Sequence, residues 1–165
     1  PGAQHVVLYH GTTETAGRAI WRSGFRVPDH CRNSWSCEPG KCRCSMLGRG
    51  VYAAHWSRAA KFARDTVSGT GRTEVRSDGT DPRRESARSA SDTPTIMRVL
   101  FTWRNLATIT EQQVCACCDR PFVDHAGLWK HHGYDAAHVA QRFDASPEWV
   151  VGRPEQVRRL TVHWC

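Results

Sequence analysis

Three short segments, far apart in the chain, hold residues able to grip a flat amide and a sugar: His10-Gly11, Gly48-Arg49-Gly50-Val51-Tyr52 and Glu148. A glycine exposes its backbone N–H and C=O with no Cβ in the way, so a planar carboxamide can pair with it directly. A tyrosine ring offers a face for stacking on an aromatic heterocycle. A carboxylate can bond a ribose hydroxyl and stabilise positive charge that develops on the sugar. Singly, each segment has an ordinary explanation. A histidine before glycine is a turn residue, Gly-x-Gly is a turn, and a strand-initial glutamate faces solvent. Brought into one pocket, they would be the equipment for holding nicotinamide and cleaving its glycosidic bond.

Positioning them requires elements of the right kind. "HVVLYHGTT" reads as a strand over residues 6–9 that ends at His10-Gly11. Thr12 or Thr13 then caps a helix with Glu14 in its first turn. Ala16, Ala19 and Ile20 share one face of this helix, while Glu14, Arg18 and Arg22 recur at spacing four on another. Gly24 stops it. Residues 50–54 make a short strand, and Ser57 caps a second helix whose Ala59, Ala60, Phe62 and Ala63 supply a small apolar face. "TIMRVLFTW", "LATI", "YDAAHV", "EWVV" and "VRRLTVHW" follow as strands; the last alternates Leu160, Val162 and Trp164 with Arg159, Thr161 and His163. Residues 66–94, rich in Ser, Arg, Gly and Asp, read as a disordered insertion. The expectation is one α+β domain over residues 1–165, with a mixed, mainly antiparallel sheet and two N-terminal helices.

The chain's net charge of +7 is uneven. Residues 1–65 carry ten Lys/Arg against four Asp/Glu, residues 66–94 five against five, and the remainder eight against seven. A positive field in the first third suits a phosphate-bearing partner, nucleotide or nucleic acid; a solvated basic surface is the plain alternative. No apolar run approaches the ~20 residues that span a bilayer. No signal peptide is visible, and an intracellular setting, cytoplasmic or nuclear, is expected.

The eight cysteines fall into two clusters, Cys31, Cys37, Cys42, Cys44 and Cys115, Cys117, Cys118, plus Cys165. Both clusters lie in turn-rich segments. A structural zinc held by Cys42, Cys44, Cys115 and Cys117 would join them, with Cys37 and Cys118 as substitutes and His30 and His125 as more remote candidates. Disulfides between the same segments are the rival reading.

"LYHGT", "GRGVY" and "EWVVGRPEQVRRL" resemble the three signature blocks of the poly(ADP-ribose) polymerase-like ADP-ribosyltransferases, in the same order and local structure. "SMLGRGVY" and "LWKHHGYDAAHV" bring the chain nearest to the grass carp reovirus-induced gene 2-like branch. The resemblance implies the split-sheet catalytic fold of that family and a His-Tyr-Glu triad of His10, Tyr52 and Glu148. It also implies that His10 bonds the adenosine ribose, the Gly11 backbone pairs with the nicotinamide carboxamide, and Tyr52 stacks on the nicotinamide ring. Glu148 would grip the nicotinamide-ribose 2′-OH and orient the acceptor. Thr12, Gly50 and Phe62 complete the candidate cofactor-binding set. The sequence departs from the family at Ala60, where many members have a serine, and at Phe62, the aromatic nearest to a second stacking tyrosine.

The implied activity is mono-ADP-ribosyl transfer from NAD+ to a macromolecular acceptor, nucleic acid or protein, without a membrane partner. The alternatives are a non-catalytic NAD- or ADP-ribose-binding module and a zinc-stabilised nucleic-acid-binding domain.

Overall fold

The computed structural model of the chain describes residues 2–27, 47, 50–68, 92–109, 129–130, 132–139 and 147–164. They form an α+β architecture of two helices on a seven-stranded mixed sheet. In chain order the elements are β1 (Gln4–Thr13), α1 (Glu14–Ser23), β2 (Val51–Ala54), α2 (Trp56–Ser68), β3 (Pro94–Trp103), β4 (Leu106–Ile109), β5 (Ala136–Val139), β6 (Glu148–Val151), a 3-10 turn at Pro154–Gln156 and β7 (Val157–Trp164). The strand order is β4-β5-β6-β2-β1-β3-β7. Neighbouring strands are antiparallel except for β4 and β5.

β1 and β3 pair along their whole length, from Gln4↔Trp103 to Thr13↔Pro94. The strand is longer than its apolar stretch because this ladder carries it through His10-Gly11 to the cap of α1. Between β1 and β2 the pairing is one residue deep, Tyr9↔Ala54. The sheet is continuous there, yet it opens into a seam.

α1 forms for the reasons legible in its residues. Thr13 Oγ1 accepts from the Ala16 N–H at 3.3 Å. Glu14 sits in the first turn and pairs with Arg18 at 2.7 Å. Gly24, at φ 85°, donates its N–H to Ile20 O. From β7, Arg159 Nη1 donates to the Ile20 and Trp21 carbonyls, satisfying groups that the helix end leaves unpaired. The start of α2 differs from expectation. The helix begins at Trp56, so Ser57 lies inside its first turn rather than capping it, and His55 O accepts from the Ala59 N–H at 3.0 Å. α2 also runs to Ser68, so residues 66–68 of the expected insertion are helical. Residues 69–91 of that insertion lie outside the described residues.

The helices pack on opposite faces of β1 and β3, as the period of two along a strand requires. α1 packs through Gly17, beside the Thr95 and Thr12 methyls. On the same face Leu8, Phe25, Met97, Val99, Phe101 and Val151 form one buried cluster. α2 packs through Ala59, Ala60 and Ala63 against Ile96, with Tyr9 alongside. Its contact is close because residue 11 has no side chain. A Cβ at Gly11 would lie 2.0 Å from Ala59 O and 3.0 Å from the Ala63 nitrogen. A third cluster, Leu47, Ala107, Trp129, Ala137, Val139 and Val150, closes the far side of the sheet around Tyr52.

A methyl at residue 11 would have to push backbone, which yields less readily than a side chain. Gly11→Ala is therefore expected to destabilise the fold by about 3 kcal/mol, the upper end for overpacking, read from urea unfolding midpoints. A loss well under 1 kcal/mol would show that α2 is not held this closely.

Candidate functional site

A cavity of about 720 Å³ opens at the seam between β1 and β2. Its volume falls in the range of small-molecule and cofactor sites, roughly 300–1,000 Å³. Ala16, Ala19, Ile20 and Phe25 from α1 and its following loop make an apolar wall. The polar groups that converge on it include His10, Arg58 and Glu148.

Each side chain is placed by its strand. His10 ends the apolar run of β1, where the seam removes its neighbour. Its Nδ1 donates to the Tyr52 carbonyl at 2.8 Å, bridging β1 and β2 beyond their single register pair. The ring lies edge-on to Phe25, centroids 5.1 Å apart. Burial pushes the His10 pKa below the ordinary histidine value, and the bond to Tyr52 opposes that shift without cancelling it. The neutral imidazole with its proton on Nδ1 keeps Nε2 as an acceptor, suited to a hydroxyl.

Tyr52 is gripped at both ends. Its carbonyl holds His10, and its hydroxyl accepts from the Leu47 N–H at 2.8 Å. The Leu47 carbonyl in turn accepts from Trp129 Nε1 at 2.7 Å. Both backbone groups of Leu47 are thus satisfied by side chains, which anchors the chain as it enters β2. At Gly50 a Cβ would meet Val150 Cγ2 at 2.3 Å and Val151 O at 2.5 Å, so β6 packs flat on this residue.

Glu148 begins β6, opposite Ala54 of β2 and Val139 of β5. Arg58 of α2 donates to its Oε1 through Nε at 2.8 Å and Nη2 at 2.5 Å. Next to it, Trp149 is stacked on His138 of β5 at 4.6 Å and lies 5.3 Å from Trp103. This aromatic packing fixes the strand that carries the carboxylate.

The structure brings His10, Gly11, Gly50, Tyr52, Phe62 and Glu148 to this one cavity. Phe62 is 59% exposed, at the rim. Thr12 is not among the lining residues; it is buried with its methyl beside Gly17. Ala60 packs in the α2 cluster and does not line the cavity either. Asp135 braces the turn between β3 and β4 by accepting from the Arg104 and Asn105 N–H groups. The proposed zinc ligands Cys42, Cys44, Cys115 and Cys117 lie outside the described residues, as do their substitutes Cys37, Cys118, His30 and His125. Among the described residues no group of three or more His, Cys, Asp or Glu could hold a metal, and no helix is long and apolar enough to cross a membrane.

Sequence reading missed Arg58 and the apolar wall of α1. Arg58 carried a usable signal. A cation in the first turn of a helix opposes the macrodipole, and no acidic residue accompanies it there, so it calls for a carboxylate from another element. The α1 face of Ala16, Ala19 and Ile20 is legible as apolar, but its use as cavity wall, with Ile20 also packed on the core, is not.

In comparisons with known proteins, no family model and no curated protein matches the chain.

The histidine environment makes a stability prediction. His10 and His138 both have pKa values lowered by burial. Between the lowered folded value and the unfolded value near 6.5, the unfolded chain binds more protons. Stability is therefore full above about pH 7 and falls as pH drops through that window, by up to about 1.4 kcal/mol per pH unit for each histidine. Urea midpoints measured from pH 7.5 to 5 should show this slope, and His10→Gln should remove its share. An unchanged slope in that variant would contradict the assignment to His10.

Proposed function

We propose that the chain is a mono-ADP-ribosyltransferase that cleaves NAD+ at the nicotinamide glycosidic bond and passes ADP-ribose to a macromolecular acceptor. The observation that carries this reading is the convergence of His10, Tyr52 and Glu148, from three strands distant in sequence, on one cavity of cofactor size. The resemblance of their three segments to the signature blocks of the poly(ADP-ribose) polymerase-like family points the same way, and with it the fold assignment to that family.

The chemistry of the lining fits the dinucleotide. His10, neutral and with Nδ1 committed to Tyr52, offers Nε2 to a ribose hydroxyl. The Gly11 and Gly50 backbones and the aromatic residues Tyr52 and Phe62 border the same space. The apolar wall of α1 excludes water from one side, which strengthens electrostatic interactions within. Glu148 supplies negative charge beside the sugar. When the bond from sugar C1′ to nicotinamide nitrogen breaks, its electron pair leaves with nicotinamide, and the pyridinium becomes a neutral ring. The positive charge that develops on the sugar faces the carboxylate. An oxygen or nitrogen of the acceptor then forms the new bond to C1′ and releases its proton.

The acceptor is a nucleic acid or a protein. The basic balance of residues 1–65 suits a nucleic acid, and a protein side chain stands equally; only nucleic-acid modification should weaken steeply with salt. A non-catalytic binding module would hold NAD+ without releasing nicotinamide.

Incubation with NAD+ labelled in the adenosine half, with protein, DNA and RNA offered together, tests the reading. Nicotinamide release and label transfer are expected from the wild-type chain. Glu148→Gln should lower the rate about 10²–10³-fold, as for loss of one transition-state contact. NAD+ binding without nicotinamide release would overturn transferase activity in favour of the binding module. No binding at all would overturn the site.

A further inference from the structure

The candidate carboxylate does not stand alone in the cavity. Arg58 Nε and Nη2 both donate to Glu148 Oε1, at 2.8 and 2.5 Å, and the two side chains are only 25% and 17% exposed. In the parallel fork by which arginine commonly meets a carboxylate, each nitrogen takes its own oxygen. Here both converge on one oxygen, and Glu148 Oε2 takes no hydrogen bond from a described residue. One oxygen is tethered and the other is left for a ligand.

The tether has a rigid base. Arg58 is followed by Ala59, whose carbonyl lies where a Cβ of residue 11 would be, so the first turn of α2 is seated directly on β1. The pair offsets the cost of a cation in the first turn of α2, but that alone does not require both donors on one oxygen. Nor does the pair increase the negative charge available in the cavity, since a guanidinium beside a carboxylate reduces it. What it does supply is orientation. A glutamate has three side-chain torsions, and a site built for transition-state contact needs its groups held within about half an ångström.

We propose that Arg58 is a positioning residue for Glu148: it fixes the carboxylate by Oε1 and thereby presents Oε2 to the sugar of NAD+. This rests on the reading of the cavity as an NAD+ site. Sugar hydroxyl and developing cation both meet the same oxygen, while Arg58 makes no contact with the reacting atoms. The competing physical effect has the opposite sign. If charge outweighed orientation, removing the guanidinium would leave a fully available carboxylate and speed the reaction.

The two effects separate in the kinetics of nicotinamide release by the full chain. Arg58→Ala is expected to lower kcat about 10–100-fold, the scale of a misplacement near 1 Å, with KM for NAD+ within about threefold of wild type. Millimolar guanidinium should restore part of that loss in Arg58→Ala and none in Glu148→Gln. The Arg58→Ala/Glu148→Gln double variant should be no slower than Glu148→Gln alone. Arg58→Lys, which keeps the charge but cannot offer two donors from one planar group, should fall between wild type and Arg58→Ala; it also serves if the alanine variant does not fold.

Wild-type turnover with kcat in these variants equal to or above wild type would overturn the positioning role while leaving the transferase reading intact. A lowered melting temperature with unchanged kcat would do the same, by showing a strut and nothing more. A wild-type chain that releases no nicotinamide would take both down together.

Discussion

The structure depends on a close approach between backbones: α2 lies on β1 where residue 11 has no side chain. The Ala59 carbonyl occupies the space that any Cβ would need. The small residues Ala59, Ala60 and Ala63 continue that contact along the helix and let it settle against Ile96. Bulkier residues would lift the helix away from the sheet and carry Arg58 with it. Gly11 thus has a packing reason to be glycine, independent of any ligand. The same holds for Gly50, which is pressed against Val150 and Val151. A glycine that reads as a ligand contact can be required by the fold first and used by the ligand second.

The seam is the second element of the design. Strands β1 and β2 share one register pair and then part, and hydrogen bonds that a longer ladder would have made are replaced by a side chain, His10, reaching the Tyr52 carbonyl. That substitution leaves room for a cavity without breaking the sheet. It also couples geometry to protonation. Burial opposes the charged imidazole, and the carbonyl selects the tautomer. Cation and anion are likewise kept together a short distance away, in the Arg58–Glu148 pair.

Much of this was legible in the residues and some was not. The strands were visible because alternation and β-branched runs mark them, and α1 because Thr13, Glu14 and Gly24 are strong local punctuation. Strand length was underestimated at β1, because pairing with β3 extends it past the apolar stretch. Ser57 fits the pattern of a cap because it precedes an alanine-rich face, whereas the helix starts at Trp56, two residues before the start that such a cap implies. Thr12 shares a face of β1 with His10, but α1 covers it there: it is buried with its methyl beside Gly17, outside the cavity lining. Arg58 went unnoticed because its partner is ninety positions away. Tertiary ion pairs leave only an indirect trace in sequence, here a cation at the wrong end of a helix. The cysteine segments lie outside the described residues.

The three candidate residues sit on β1, β2 and β6, which are consecutive in the sheet. Their relative placement is therefore set by ladder alignment. A slip of β6 by a single position against β2 would replace the carboxylate of residue 148 with an indole or a proline ring. The valines at 150 and 151, wedged against Gly50, act as the stop that prevents it. One residue inserted into this four-residue strand would therefore turn the carboxylate of Glu148 to the other face of the sheet.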